Sequence, residues 1–193
     1  MFLLSNDFWE THQTNYAGAG VFAKKEIKAG TIIGDYLGTV INTADYDIDS
    51  DRAGLYLMYY SDSKSIYPDL SRPGIHLVNH ACVPNCWMYV YRGHTLFFSL
   101  QNINSGEELT ISYLLDPQEG LCHPCLHACH CGHPKCTGSM HLSRERFDRW
   151  QKFQQSRKRT RKAIAIVGDD LQKLAVYPKI NINDPIYKSL RDL

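Results

Sequence analysis

Asn79-His80-Ala81-Cys82-Val83-Pro84-Asn85 is the stretch that says most about how this 193-residue chain folds. Its last two residues are typical of a turn, because proline fixes one backbone angle and asparagine readily hydrogen-bonds its own backbone. A turn leaves the rest of the stretch unexplained, since it requires neither the histidine nor the cysteine. The meaning of the seven residues therefore depends on the motifs around them.

Three further motifs flank this stretch in a fixed order along the chain. Each is a weak signal alone, because glycine-rich turns, packed tyrosines and buried cysteines are all common. With the central stretch they span about 120 residues, and four motifs in one order are hard to obtain by chance. The flanking motifs are Gly18-Ala19-Gly20-Val21-Phe22-Ala23, Glu107-Glu108-Leu109-Thr110-Ile111-Ser112-Tyr113 and Cys129-x-Cys131-x4-Cys136-x-Gly138.

The composition indicates one globular domain with a small appendage. Hydrophobic residues make up 44% and charged residues 21% of the chain, which is ordinary for a globular protein. The net charge of +1 predicts no attraction of the whole protein to nucleic acid or to a membrane. The N-terminal residues have neither a basic start nor a long apolar run, so we expect no signal peptide, no membrane contact and an intracellular protein.

The cysteines and histidines concentrate in one part of the chain. All seven cysteines lie between Cys82 and Cys136. Their odd number argues against a complete disulfide framework, and their short spacings favour metal binding. Five of the nine histidines lie in or beside the same cluster, namely His123, His127, His130, His133 and His141.

Short runs of β-branched and aromatic residues, separated by turn-forming residues, predict several small antiparallel sheets in the first hundred-odd residues. These runs lie at 21–23, 31–33, 36–37, 75–78, 95–98 and 109–111. A short helix is expected around 46–59. A basic helix is predicted over 143–162, with Ser143 as its N-cap and with Phe147 and Trp150 on its apolar side.

Together with Asp35-Tyr36-Leu37-Gly38, these motifs resemble the SET-domain protein lysine methyltransferases that carry a post-SET zinc segment, over roughly residues 15–140. The resemblance implies an α+β, β-rich fold: several small antiparallel sheets with a knot-like C-terminal arrangement, a Cys-rich zinc-binding post-SET segment and a C-terminal helix. The expected division is a SET domain at 1–116, a post-SET segment at 117–142, and a basic helix and tail at 143–193.

The resemblance also implies an activity, the transfer of a methyl group from S-adenosylmethionine to a lysine ε-amine. The expected substrate is a histone tail or another basic protein, in the nucleus if the host is eukaryotic, and in the cytoplasm or delivered into a host cell if it is bacterial. Tyr113 is expected to be the main catalytic residue, with Tyr36 lining the lysine channel. The expected cofactor-binding residues are Gly18, Ala19, Gly20, Asn79, His80 and Tyr113.

The chain departs from the common pattern of this family at three positions. Asp35 replaces a more usual glutamate, a change we expect to be harmless. Ser112 stands where an aspartate is common, and Ile111 stands where an aromatic residue often controls how many methyl groups are added. Met88-Tyr89 could supply that control instead, so the sequence does not decide between mono-, di- and trimethylation.

The resemblance implies that zinc is held by Cys129, Cys131 and Cys136, with Cys82 as the fourth ligand. A zinc ion there would pin the post-SET segment over the active site. Two alternatives involve Cys122 and Cys125: a self-contained knuckle with Cys129 and Cys131, or a second zinc shared with a histidine. Cys86 is expected to be a free, packed thiol.

Arg157-Lys158-Arg159-Thr160-Arg161-Lys162 forms a local basic patch. It could contact nucleic acid or an acidic surface, or act as a nuclear import signal, but a solvated helix end is the favoured interpretation unless the substrate is chromatin or a ribonucleoprotein. Two other functions stay open: a non-catalytic SET-fold peptide-binding module, and a zinc-dependent nucleic-acid-binding protein built on residues 122–162. Joint retention of Asn79, His80 and Tyr113 argues against the first of these.

Overall fold

The computed structural model describes residues 7–46, 56–91, 94–118 and 124–160, with the backbone alone at 89–91 and 156–160. Ten short strands precede one α-helix in these residues, and 3₁₀ turns lie at Thr43–Asp45 and Ile75–Leu77. The helix, α1, spans Arg144–Thr160. The strands are β1 Trp9–Gln13, β2 Ala19–Ala23, β3 Ile32–Asp35, β4 Gly38–Asn42, β5 Met58–Ser61, β6 Lys64–Pro68, β7 Asn79–His80, β8 Cys86–Tyr91, β9 His94–Ser99 and β10 Thr110–Ile111.

The strands form four small sheets rather than one large one. Strands β1 and β2 make an antiparallel hairpin, and two three-stranded antiparallel sheets have the orders β3-β9-β8 and β4-β6-β5. The fourth sheet is a parallel pair, β7 with β10. The prediction of several small antiparallel sheets followed by a C-terminal helix is confirmed.

The main hydrophobic core lies where the first hairpin, β3 and β9 meet. Its fully buried side chains include Val21, Ile33, Phe97 and Leu109. Strand β9 is buried along its whole length because it lies between β3 and β8. The core thus fixes the positions of the segments that carry the sequence motifs, since β2 and the residues before β10 both contribute to it.

A second, smaller cluster attaches helix α1 to the sheet β3-β9-β8. Trp150 and Phe153 pack against the buried group that includes Trp87, and the Trp87 and Trp150 ring centroids are 5.5 Å apart. Ser143 caps the helix as predicted, because its Oγ accepts the backbone N–H of Arg146 at 3.3 Å. No helix among the described residues is both long enough and apolar enough to cross a membrane.

Three predictions of local structure were wrong. Residues 36–37 link β3 to β4 and form no strand. Residues 75–78 form a 3₁₀ turn rather than a strand, because Leu77 and Val78 donate to the carbonyls of Gly74 and Ile75. The helix expected at 46–59 fails at its C-terminal end, where Met58–Ser61 is strand β5 paired with β6. Its middle, 47–55, lies outside the described residues, as do Cys122, Arg161 and Lys162 and the rest of the tail.

Candidate active site and metal centre

The site is organised by the parallel pairing of β7 with β10. Asn79 lies opposite Thr110, and His80 lies opposite Ile111. Asn85 braces the pair from one side: its Oδ1 accepts the N–H of Thr110 and its Nδ2 donates to the carbonyl of Glu108, both at 2.8 Å. The turn residue of the central stretch therefore has a structural role, because it ties that stretch to the Glu108–Tyr113 motif.

Gly20 brings the glycine-rich motif against the same pair. A Cβ atom at this position would lie 2.6 Å from Glu108 Oε1 and 2.9 Å from Asn79 Nδ2, so only glycine allows this close approach. Asn79 Nδ2 donates to Glu108 Oε1 at 2.8 Å and to the carbonyl of Ala19 at 3.2 Å. Gly18, in the hairpin loop, has a φ of +72°, which also favours glycine.

Tyr113 lies at the other end of the pair and is held through its backbone and its hydroxyl. His80 Nδ1 accepts the N–H of Tyr113 at 3.2 Å, and the Tyr113 hydroxyl donates to the carbonyl of Val78 at 3.0 Å. Burial lowers the pKa of His80 to about 4, with a further contribution from Arg146, so the imidazole is neutral and can accept this bond. Burial also raises the pKa of Tyr113, so its hydroxyl stays protonated.

Tyr36 is connected to Tyr113 through Tyr56. Tyr36 is buried and stacks on Phe97 with a centroid separation of 6.2 Å. Its hydroxyl donates to the backbone carbonyl of Tyr56 at 2.5 Å. The side chain of Tyr56 lies close enough to raise the pKa of Tyr113 further, after the larger effect of burial. The two predicted tyrosines therefore belong to one aromatic neighbourhood.

The four predicted metal ligands converge beside this neighbourhood. The Sγ atoms of Cys82, Cys129, Cys131 and Cys136 all lie within 4.8 Å of one another, a group named here the four-thiol cluster. Cys82 Sγ is 3.6 Å from Cys129 Sγ and 3.9 Å from Cys136 Sγ. These separations are far longer than a disulfide bond.

The four-thiol cluster fits a structural zinc ion. Zinc–sulfur bonds of about 2.3 Å in a tetrahedron place the sulfur atoms about 3.8 Å apart, close to the separations seen here. Cys82 Sγ also lies 3.7 Å from His80 Nε2. The four-thiol cluster is therefore in contact with the last residue of strand β7. A metal at this cluster would therefore bear directly on the positions of His80 and Tyr113.

The other cysteines separate from this cluster. Cys86 is fully buried in the main core, and burial raises the pKa of its thiol, as expected for a packed cysteine. Cys125 groups with His127 and His141 rather than with Cys129 and Cys131. This placement disfavours the self-contained knuckle, whose remaining ligand, Cys122, lies outside the described residues.

Three residues of the site were not predicted to belong to it from the sequence. Glu108 binds Asn79, Asn85 binds Thr110, and Tyr56 accepts the Tyr36 hydroxyl. Glu108 and Asn85 lie inside the quoted motifs, so a polar residue at a fixed place in a motif was the available signal. Tyr56 had no such signal, because it is one of twelve tyrosines and lies outside the motifs.

Comparison with known proteins agrees with this geometry. A family model described as the SET domain matches residues 18–114, just over half of the chain, and this range includes both strands of the β7–β10 pair. The chain belongs to the SET-domain family. The match ends before the four-thiol cluster is complete, since three of its cysteines lie beyond residue 114.

Relatives of this SET-domain chain include proteins named as histone-lysine N-methyltransferases. TRX1 of Oryza sativa subsp. japonica is 36% identical over 135 residues, covering 63% of this chain and 12% of that protein. The H3 lysine-36 specific enzyme of Gibberella zeae is 30% identical over 136 residues, covering 65% of this chain and 14% of that protein. This SET-domain chain therefore spans only a small part of the length of such relatives.

Solved structures of KRYPTONITE have a similar fold. One, a complex with mCHH DNA, H3(1-15) peptide and SAH, has a TM-score of 0.56 and 25% identity, and covers 69% of this chain and 30% of that one. A second, with mCHG DNA and SAH, has a TM-score of 0.53 and 23% identity over 69% of this chain and 29% of that one. The second match supports the SET fold alone.

Proposed function

We propose that this SET-domain chain is a protein-lysine N-methyltransferase that uses S-adenosylmethionine and acts on a histone or another basic protein. The observation that carries the proposal is that four motifs meet at the β7–β10 pair. Gly20 packs on Asn79, His80 accepts the backbone N–H of Tyr113, and Cys82 belongs to the four-thiol cluster. Histone-lysine methyltransferase relatives and a neighbour with bound H3 peptide and SAH favour this chemistry over a non-catalytic module.

The cofactor would bind along the glycine-rich motif and the N-terminal end of β7. Gly18, Ala19 and Gly20 present backbone without bulky side chains, and Gly20 already leaves no room for a Cβ. Asn79 commits its Nδ2 to Ala19 and Glu108, which fixes the direction in which its carbonyl oxygen points. Asn79, His80 and Tyr113 complete the proposed cofactor site. When bound, the cofactor supplies a methyl group activated on a positively charged sulfur.

The lysine amine must lose its proton before it can act as a nucleophile. With a pKa of about 10.4 in water, the neutral amine lies roughly 4–5 kcal/mol above the ammonium form at pH 7. A channel walled by aromatic residues such as buried Tyr36 and half-buried Tyr113 would disfavour the ammonium form by removing its water. The channel therefore shifts the amine toward the neutral form without a strongly basic side chain.

Tyr113 is proposed to position the amine rather than to remove its proton. Because burial raises the pKa of its hydroxyl, Tyr113 stays protonated at neutral pH and is not available as a phenolate to accept the amine proton. Its hydroxyl is directed to the Val78 carbonyl and its backbone to His80, so the aromatic ring is fixed on both sides. Tyr36 is proposed to line the same channel. Fixed walls favour the in-line approach that methyl transfer requires.

A zinc ion in the four-thiol cluster is proposed to be structural. Four protein thiolates fill a tetrahedral site, which leaves no position for substrate. Cys82 is two residues from His80, so the ion would fasten the post-SET segment, proposed here as 117–142, against the SET domain at 1–116. The helix and tail at 143–193 would form the third part. Histone-directed relatives favour a nuclear location.

The proposal is tested by incubating the protein with labelled S-adenosylmethionine and a panel of histones and other basic proteins, followed by mapping of the modified residue. We expect label on a lysine. Tyr113→Phe should fold and bind the cofactor, and should transfer methyl groups about a hundredfold more slowly, since small losses of alignment have effects of this size. Cofactor binding is measured separately by calorimetry.

Tyr67→Phe is the matched control, because Tyr67 is also half-buried but lies on strand β6, away from the β7–β10 pair. It should retain wild-type transfer rates. Cofactor binding without transfer to any protein of the panel would support the non-catalytic module instead. Nuclease treatment that abolishes the labelling would favour a nucleic-acid-binding role for residues 122–162. Wild-type rates in Tyr113→Phe would remove Tyr113 from its proposed role.

A further inference from the structure

We propose that Cys125, His127 and His141 form a second zinc site, separate from the four-thiol cluster. Their ligand atoms all lie within 4.8 Å of one another. Cys125 Sγ is 3.8 Å from His127 Nδ1, and His127 Nδ1 is 3.2 Å from His141 Nε2. No residue of the four-thiol cluster belongs to this group, so the two sites would not compete for ligands.

The separations suit a tetrahedral zinc ion. With zinc–nitrogen bonds of about 2.05 Å and a zinc–sulfur bond of about 2.3 Å, two nitrogens lie about 3.3 Å apart and sulfur lies about 3.6 Å from nitrogen. The measured separations of 3.2 Å and 3.8 Å are close to both values. One thiolate with two imidazoles is a donor set that zinc favours, and it leaves a fourth position for another ligand.

The tautomer of His141 is set by its backbone contact. His141 Nδ1 lies 2.6 Å from the carbonyl oxygen of Asp116, which can only accept, so Nδ1 carries the proton. His141 Nε2 then presents its lone pair toward His127 Nδ1. Metal-binding histidines typically donate their other ring N–H to such a carbonyl, which fixes the ring for the metal.

A hydrogen bond between the two histidines would explain their contact without a metal. That bond places the two rings near one another, and their planes cross at 85° with centroids 5.0 Å apart. It gives no reason for Cys125 Sγ to approach the same ring nitrogen of His127. A shared metal ion accounts for all three groups at once.

One short backbone ladder carries ligands of both sites. The backbone carbonyl of His127 accepts the N–H of Met140 at 2.8 Å, and the backbone N–H of Cys129 donates to the carbonyl of Gly138 at 3.0 Å. The two bonds lie on either side of the bridge between Ala128 and Ser139. The ladder therefore presents His127 to one site and Cys129 to the other. The second ion would secure the end of this ladder that adjoins Asp116 and helix α1, whereas the first secures the end near the active site.

The test is a count of zinc ions per chain after saturation with zinc and removal of the excess. We expect two ions in the wild-type protein and one in Cys125→Ser and in His127→Asn. His133→Asn is the control, because His133 lies outside both clusters and asparagine can still accept the N–H of Lys135 that His133 Nδ1 accepts at 3.0 Å. This variant should keep both ions.

Substitution with Co²⁺ distinguishes the two sites without relying on the variants. A four-thiolate site gives strong sulfur-to-cobalt absorption, whereas a site with one thiolate and two imidazoles gives a weaker spectrum at higher energy. We expect wild-type protein to titrate with both signatures, whether or not a variant folds. A single ion with only the four-thiolate spectrum would overturn the proposal, as would two ions that persist in both ligand variants.

Discussion

Two neighbouring regions of the molecule hold their shape by different means. The paired motif region, comprising β2, β7 and the residues from Glu108 to Tyr113, is built on buried apolar side chains such as Val21 and Leu109 and on strand pairing. The cysteine–histidine segment, residues 124–142, has only Cys129 and Leu142 among its buried hydrophobic residues. The paired motif region can fold by burying its core, whereas we propose that the cysteine–histidine segment is stabilised by the zinc that the four-thiol cluster would bind.

The two parts of the proposed site therefore depend on different interactions, one on the hydrophobic core and the other on a bound metal. The residues proposed to face the cofactor are fixed by backbone and side-chain hydrogen bonds within the folded core. The proposed cover from the cysteine–histidine segment depends on Cys82, whose thiol meets those of the other three cysteines. Disturbing the metal should therefore alter one region and leave the other in place.

Loss of the zinc proposed for the four-thiol cluster should have the largest effect. In Cys82→Ser, a binding contribution on the order of 10 kcal/mol is lost, so the cysteine–histidine segment should become sensitive to protease. Methyl transfer should be abolished, while far-ultraviolet circular dichroism should show the strands largely unchanged. The measurements are limited proteolysis, transfer rate and circular dichroism on the same sample.

Cys86→Ala provides the matched control for this experiment. Cys86 lies four residues further along the chain, fully buried but outside the four-thiol cluster. Its loss should reduce the free energy of unfolding by about 1 kcal/mol and leave metal content and protease resistance unchanged. If Cys82→Ser loses its metal yet keeps wild-type protease resistance and transfer, zinc does not hold the segment over the site.

Gly20→Ala should act on the paired motif region alone. The new Cβ would lie within 3 Å of Glu108 and Asn79, so one of them must shift. We expect the free energy of unfolding to fall by about 1–3 kcal/mol, and cofactor affinity to fall tenfold or more. Calorimetry with S-adenosylhomocysteine and denaturant unfolding measure the two effects.

Gly34→Ala separates stability from binding. A Cβ at Gly34 would lie 3.1 Å from the side chain of Ile75. This crowding is in the hydrophobic core and does not involve Asn79. This variant should lose stability while retaining cofactor affinity and zinc content. Equal affinities in Gly20→Ala and wild-type protein would argue that the glycine-rich motif does not face the cofactor.

The smallest expected effect is a pH dependence from His76. Burial lowers the pKa of His76, with Asp69 opposing the shift, so the folded protein binds fewer protons than the unfolded chain. The stability gained from the neutral imidazole is present above pH 6.5 and is lost as the pH falls below it. The free energy of unfolding should therefore drop more steeply between pH 7 and 5.5 in wild-type protein than in His76→Gln. Parallel profiles would contradict this assignment.

Much of the fold could be predicted because several strands have a local signal. The runs at 21–23, 31–33, 95–98 and 109–111 fall within or overlap β2, β3, β9 and β10, since most of their β-branched and aromatic residues are buried. The helix cap at Ser143 could also be predicted, because a serine directly before a helical pattern is a typical N-cap. The co-location of the cysteines was implied by the resemblance, and the structure brings all four together.

Other features could not be predicted because they depend on distant partners. Residues 75–78 include the β-branched Ile75 and Val78, yet Ile75–Leu77 forms a 3₁₀ turn against the core. The helix predicted at 46–59 overlaps β5 at Met58 and Tyr59, because the pairing of β5 with β6 is a tertiary contact with no local signature. The proximity of Cys125, His127 and His141 depends on the bridge between Ala128 and Ser139, which brings residues far apart in sequence into register.

The central claim is that distant motifs form one cofactor site in the paired motif region. Hydrogen–deuterium exchange with and without S-adenosylhomocysteine tests it most directly. We expect added protection at 18–23, 79–82 and 108–113 together, with the sheet β4-β6-β5 unchanged. Protection confined to one of these segments, or located only outside them, would contradict the claim.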